Sequence, residues 1–138
     1  MRERLNEILK RFAADSGTVH LMGSDGQLYL VAAIGIPDHV LDLVGVVPVG
    51  KGMAGLAAQR REPVNLCNLQ TDTSGDVQPG AKATGLQGSI ALPMMVGDRV
   101  AGVLGVANHG ERVFTEEEVA QMMAAASALM LEGQEPSF

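Results

Sequence analysis

GSIALPMMVGDRVAGVLGVAN, residues 88–108, decides the fold. Two runs of strand formers, SIALPMM and RVAGVLGVAN, flank Gly97-Asp98, and glycine at the first turn position predicts a type II′ hairpin. Strands joined by so short a turn run antiparallel, because a parallel neighbour needs a crossover of roughly a dozen residues or more. A doubly wound parallel sheet is therefore excluded.

Working outward toward the N-terminus, TVHLM (18–22) and QLYLVAAI (27–34) are further strands, with Ser24-Asp25-Gly26 as the turn between them. Gly35 and Pro37 stop the second strand, and a short helix fits 38–44. VVPV (46–49) is a short strand whose Pro48 lacks a donor, which confines it to an edge or an irregular position. GKGMAGLAAQRREP (50–63) predicts a short helix through Met53, Leu56 and Ala57. Small residues at 54, 55, 57 and 58 let that backbone approach a flat partner closely. Val64–Leu66 is another brief strand.

Both ends read as helices. Leu5, Ile8, Leu9, Phe12 and Ala13 fall at helical spacing over about 3–14, with Gly17 expected to end that helix. Near the C-terminus Thr115 is the expected N-cap, Glu118 completes a capping box, and Phe114 can staple against Val119. Val119, Met122, Met123, Ala126 and Met130 form the apolar stripe, and 132–138 reads as a frayed tail. The order describes an α+β fold: a central antiparallel sheet of about six strands covered by helices.

Composition sets the outer limits. With 138 residues, 46% of them hydrophobic, the chain is expected to form one domain over 1–138, with its core at about 3–131. A formal net charge of −6 argues against a nucleic-acid footprint, and 3% aromatic residues with no tryptophan argues against a base-stacking platform. The start, MRERLNEILKRF, interleaves charges with apolar positions, so neither a signal peptide nor a membrane span is expected. A single cysteine precludes an intrachain disulfide framework and suits a reducing cytoplasm.

Taken together, GKGMAGLAAQRREPVNL (50–66), GSIALPMMVGDRVAGVLGVAN (88–108) and VFTEEEVAQMMAAAS (113–127) resemble a GAF domain. The resembling features are a glycine-led helix, a short strand after proline and a proline closing the fifth strand. A glycine-rich sixth strand and a phenylalanine with an acidic run opening the last helix complete the set. The resemblance covers roughly 3–131. It implies N- and C-terminal helices on one sheet face and short helices and loops over the other. It also implies a non-catalytic, small-molecule-binding sensory module or, as the alternative, a structural, dimerising module without ligand. Its ligand would lie against the second sheet face, under Met53–Ala58 and the polar stretch 69–85. That stretch lies within NLQTDTSGDVQPGAKATG (68–85), a long nonperiodic connection of the kind that more often carries function than fills space.

The candidate ligand-binding residues are Met53, Cys67, Asp72, Thr73, Ser74, Asp76, Lys82, Thr84 and His109. Two aspartates near a lysine suit an amine or amino-acid-like ligand, with Lys82 pairing its carboxylate; the same residues equally suit a solvated loop. A helical turn after Pro79 would offer amides to an anion. Cys67 is a small packed residue, a redox thiol or a chromophore attachment point. Attachment is disfavoured because Asn68 stands where the family's bilin-binding members carry histidine. The free methionine sulfoxide reductase branch also resembles this chain. Its GxGxCG cysteine is replaced by Ala54, and one thiol cannot complete an internal disulfide cycle.

His20 faces oppositely to Val19 and Leu21, toward either the ligand side of the sheet or a helix. His20, His39 and His109 are too scattered to specify a metal. His109 is either at a pocket mouth or in a surface turn with Gly110. No cofactor is specified. Ala125, Ala128, Leu129 and Leu131 extend the apolar surface of the last helix beyond its stripe. That excess predicts a homodimer through 3–14 and 116–131 unless the N-terminal helix of the same chain covers it. Any output would pass to an effector protein or to further domains of a longer chain.

Overall fold

A computed structural model describes residues 1–66 and 86–133. In chain order its elements are α1 (Arg2–Arg11), β1 (Ser16–Met22), β2 (Gln27–Ile34), α2 (Asp38–Val44) and β3 (Val46–Pro48). They continue with α3 (Gly52–Arg60), β4 (Val64–Leu66), β5 (Ser89–Val96), β6 (Arg99–Ala107) and α4 (Glu116–Gly133). The strands form one antiparallel sheet of six in the order β3-β2-β1-β6-β5-β4. The expected hairpin closes through Val96↔Arg99, with Gly97 at φ 63°. Pro48 sits on edge strand β3, as its missing donor requires. Pro93 does not close β5, which runs on to Val96. Its lack of a donor is tolerated because β4 pairs only with Ser89, Ile90 and Ala91, leaving β5 free of that ladder at Pro93.

Gly17 does not end α1. The helix stops at Phe12, where Ala14 N–H bonds the Leu9 carbonyl (2.8 Å) and Ala13 N–H bonds that of Lys10 (3.3 Å). This is a Schellman closure with alanine at φ 54° in the place glycine usually takes. Gly17 lies inside β1 instead, where a Cβ would come 2.8 Å from Leu9 and 3.0 Å from Leu5. The glycine lets α1 lie directly on the strand.

One sheet face is covered by the terminal helices. α1 packs on β1 and β2, α4 mainly on β5. Leu5, Leu9, Val19, Ile90, Leu92, Met94, Leu104 and Met122 are buried between them. Each such side chain contributes about 1.5–3 kcal/mol relative to exposure. The capping box forms: Thr115 N–H donates to the Glu118 carboxylate (3.1 Å), and Glu118 N–H donates to Thr115 Oγ (3.1 Å). Phe114 is buried in the cluster against which Val119 packs.

The stripe of α4 differs from its sequence reading. Ala125 and Leu129 are buried with Met122, Ala126 and Met130, a full set at i, i+3, i+4, i+7 and i+8. Leu129 lies against α1 of its own chain, in a groove of about 190 Å³ with Arg4, Glu7, Ile8, Arg11, Ala125 and Ala128. Ala125 and Leu129 of the excess apolar surface are thus covered internally, Ala128 is half-buried, and the side chain of Leu131 lies outside the described residues. The helix also continues to Gly133, beyond the expected start of the tail.

Candidate functional site

The second sheet face is built differently. Short α3 packs over β4, β5 and β6, placing Met53, Ala57 and Ala58 among Val64, Ala91, Val103 and Ala107. Glycine makes this seat possible. Gly50 and Gly52 take φ of 92° and 66° at the entry to α3, and a Cβ on Gly55 would collide with the Pro48 carbonyl oxygen. The helix is therefore pinned between edge strand β3 and the centre of the sheet.

Over β1, among the described residues, α2 reaches this face through Val44. Alternation along β1 sends Val19 and Leu21 to the terminal helices and Thr18, His20 and Met22 to the α3 side. A bulge opposite Val19 and His20 pairs His20 with Leu30 while Val19 pairs with Ala32. On its other side His20 pairs with Val103. Thr18, Leu30 and Ala33 are half-buried. Gly105 stands beside Thr18 in register, and a Cβ there would lie 2.6 Å from the Thr18 hydroxyl.

His20 is only 3% exposed. Its Nε2 lies 2.7 Å from the carbonyl oxygen of Val44, at the last residue of α2. Burial pushes its pKa below 6.5, partly offset by that hydrogen bond. Its Nδ1 and the hydroxyl of Ser16 are buried without a hydrogen-bond partner among the described residues. Both residues belong to β1 and project from the same face, four positions apart. An unsatisfied buried polar group costs about 1–3 kcal/mol, so two on one strand face demand an explanation.

The residues singled out by sequence divide three ways. Met53 is buried in the α3 cluster. His109 is exposed, its backbone N–H donating to the Asp15 carboxylate at 2.8 Å. Cys67, Asp72, Thr73, Ser74, Asp76, Lys82 and Thr84 lie outside the described residues. His20, by contrast, occupies the sheet face that sequence reasoning left undecided. The signal was its alternation with Val19 and Leu21; the partner on α2 could not be foreseen.

The turn carrying His109 belongs to a structural clasp. Asn108 donates to the Ala13 carbonyl (2.9 Å), while Arg112 donates to Asn108 (3.0 Å) and Glu118 (2.8 Å). The Arg112 guanidinium lies 4.6 Å from the Phe114 ring centroid. The bond from Thr115 N–H, and then Arg112, hold the Glu118 carboxyl below the ordinary range. These contacts join the ends of α1 and β6 to the start of α4. Among the described residues no three His, Cys, Asp or Glu side chains gather as a metal site, and no helix is long and apolar enough to cross a membrane.

A family model described as GAF domain matches residues 1–131. No curated protein sequence matches. Among solved structures, the chain is similar to the GAF domain of an Acinetobacter phosphoenolpyruvate-protein phosphotransferase. The identity is 22% and the TM-score 0.75, covering 97% of this chain and 82% of that one. It is similar also to the type II free methionine-R-sulfoxide reductase of Thermoplasma acidophilum (19% identity, TM-score 0.75, coverage 91% and 84%). NreA of Staphylococcus aureus, mutated in its nitrate-binding site, is a third (19% identity, TM-score 0.68, coverage 86% and 92%). At these identities the likeness to each solved structure is one of fold.

Proposed function

This chain belongs to the GAF domain family, and on that premise we propose that it is a non-catalytic sensory module binding a small molecule on the α3 side of its sheet. The observation that carries the reading is the asymmetry of the two faces. Among the described residues the terminal-helix face is closed by the apolar packing of α1 and α4, whereas the other face carries two buried polar atoms on β1 without a hydrogen-bond partner. Residues 53–58 and 69–85 would complete the cover, with Asp72, Thr73, Ser74, Asp76, Lys82 and Thr84 supplying polar groups. NreA, with its nitrate-binding site, supports small-molecule recognition as a use of this fold.

The likeness to a sulfoxide reductase is one of fold, and the reading stays non-catalytic: a thiolate that attacks a sulfoxide is left as a sulfenic acid, and the one cysteine of this sequence cannot resolve it through an internal disulfide. The proposal also pairs two chains along 3–14 and 116–131, relaying occupancy to an effector protein. The groove of α1 and α4 supports that pairing: its walls carry Arg4 and Arg11 together with Glu7, so a twofold-related copy can set unlike charges against each other.

Native mass spectrometry of the chain purified from its own host tests the central claim. The expected spectrum contains a noncovalent small-molecule adduct that disappears on denaturation. A clean apo mass, together with no thermal shift across a metabolite panel, refutes the sensory reading and favours a structural module.

A further inference from the structure

We propose that His20 is the specificity-determining acceptor of this site: its Nδ1 receives a hydrogen bond from an uncharged ligand bearing an N–H or O–H group, bound against the α3 side of β1. The inference rests on the ligand-binding reading above and adds the ligand's chemical class.

The tautomer follows from the partner. A carbonyl oxygen only accepts, so the 2.7 Å contact with Val44 places the ring proton on Nε2. The neutral ring then presents a bare lone pair at Nδ1, and that atom has no partner among the described residues. Burial supports the neutral form by penalising the imidazolium. A ligand atom facing Nδ1 must therefore donate.

Among the described residues no Asp, Glu, Lys or Arg side chain is buried beside His20. Register places Leu30 and Val103 on either side of His20, with Met22 and Leu28 packed nearby on the same face. Asp38 and Asp42 of α2 are exposed to solvent. An anion would meet the Nδ1 lone pair, and a buried cation would lack a counter-charge among these neighbours. An amide or a hydroxyl meets neither penalty. Two residues along the strand, about 7 Å away, the Thr18 hydroxyl offers a second polar contact, and Gly105 leaves it without a side-chain neighbour on the β6 side.

The geometry also gives the site a means of response. His20 holds the C-terminal end of α2 through Nε2 and the ligand through Nδ1, so one ring joins the occupant to that helix. A donor at Nδ1 makes the ring a better donor at Nε2, because hydrogen bonds in a chain polarise one another.

Acetamide and acetate provide a matched test, being nearly equal in shape while one donates and the other is an anion. The readout is the imidazole ¹⁵N spectrum of the labelled full chain, with backbone amide shifts. Acetamide should shield Nδ1 of His20 saturably, retain the Nε2–H tautomer, and move the amides of Thr18 and Val103; acetate should not. In His20→Leu, which removes the acceptor, acetamide affinity should fall about tenfold, the loss of one hydrogen bond of about 1.4 kcal/mol. Acetate moving Nδ1 with a second ring proton overturns the ligand class. Movement of Val103 and Gly105 by acetamide without any change at His20 overturns this inference while leaving the pocket standing. No response on this face to either probe overturns both.

Discussion

Leu129→Ala separates a core residue from an association residue. Leu129 is 2% exposed within the single chain, wedged in the seam of α1 and α4 with Ile8 and Ala125 beside it. Truncation removes three carbons from a site walled by two helices that are both anchored to the sheet, so collapse around the void is limited. Substitutions of this kind cost about 2–5 kcal/mol. A domain of 138 residues unfolds with an entropy of about 0.3 kcal/mol per kelvin, so a loss near 3 kcal/mol lowers Tm by about 10 °C. Urea unfolding followed by far-UV circular dichroism, at two chain concentrations, measures the effect. The expected result is a lower midpoint with unchanged slope and a penalty independent of concentration. A penalty below about 1 kcal/mol, or one that shrinks as the chain is diluted, would falsify the in-chain placement, since only an intermolecular contact is linked to concentration. Leu129→Glu would put a carboxylate in place of a buried leucine in that seam, so it should destabilise the single chain itself rather than only separate two chains.

Four further outcomes follow from particular contacts. Gly55→Ala sets a methyl group against the Pro48 carbonyl and should cost about 1–3 kcal/mol in denaturant unfolding; a neutral result would mean that α3 is not seated on β3. Ala13→Gly relieves a left-handed alanine at the end of α1 and should stabilise the chain by about 0.5–1 kcal/mol, read as a rise in Tm. Thr115→Ala removes one half of the capping box and should cost about 1 kcal/mol, with no change if α4 starts elsewhere. His20 has a folded pKa below 6.5, so the unfolded chain binds more protons between the two values. Its contribution to stability is fully present above pH 6.5 and is lost as pH falls below that value, by at most about 1.4 kcal/mol per pH unit. The difference between the stability curves of the parent and His20→Gln should be flat above 6.5 and slope below it. A flat difference throughout would show that His20 is not buried as a neutral ring.

Local chemistry carried most of the fold. The Gly97 turn, the two strand pairs, edge proline Pro48, the glycine-led α3 and the Thr115–Glu118 capping box could all be recognised because each depends on neighbours a few residues apart. Steric rules for glycine and proline, and the reach of a side chain to its own backbone, operate at that range. The family followed from the same residues in order.

Partners distant in the chain are another matter. Gly17 looked like a helix stop because glycine ends helices; its actual task, admitting Leu5 and Leu9 onto β1, exists only once α1 folds back across the sheet. Leu129 looked surplus to α4 because helical periodicity gives the width of an apolar face and not what covers it; α1, more than a hundred residues earlier, covers it. His20 showed its face by alternation, yet the Val44 carbonyl that fixes its tautomer is brought to it by the return of α2 over the sheet. Residue order determined which elements form, since their rules are local. Tertiary structure decided which atoms remain without a partner, because satisfaction of a buried group depends on everything that packs around it.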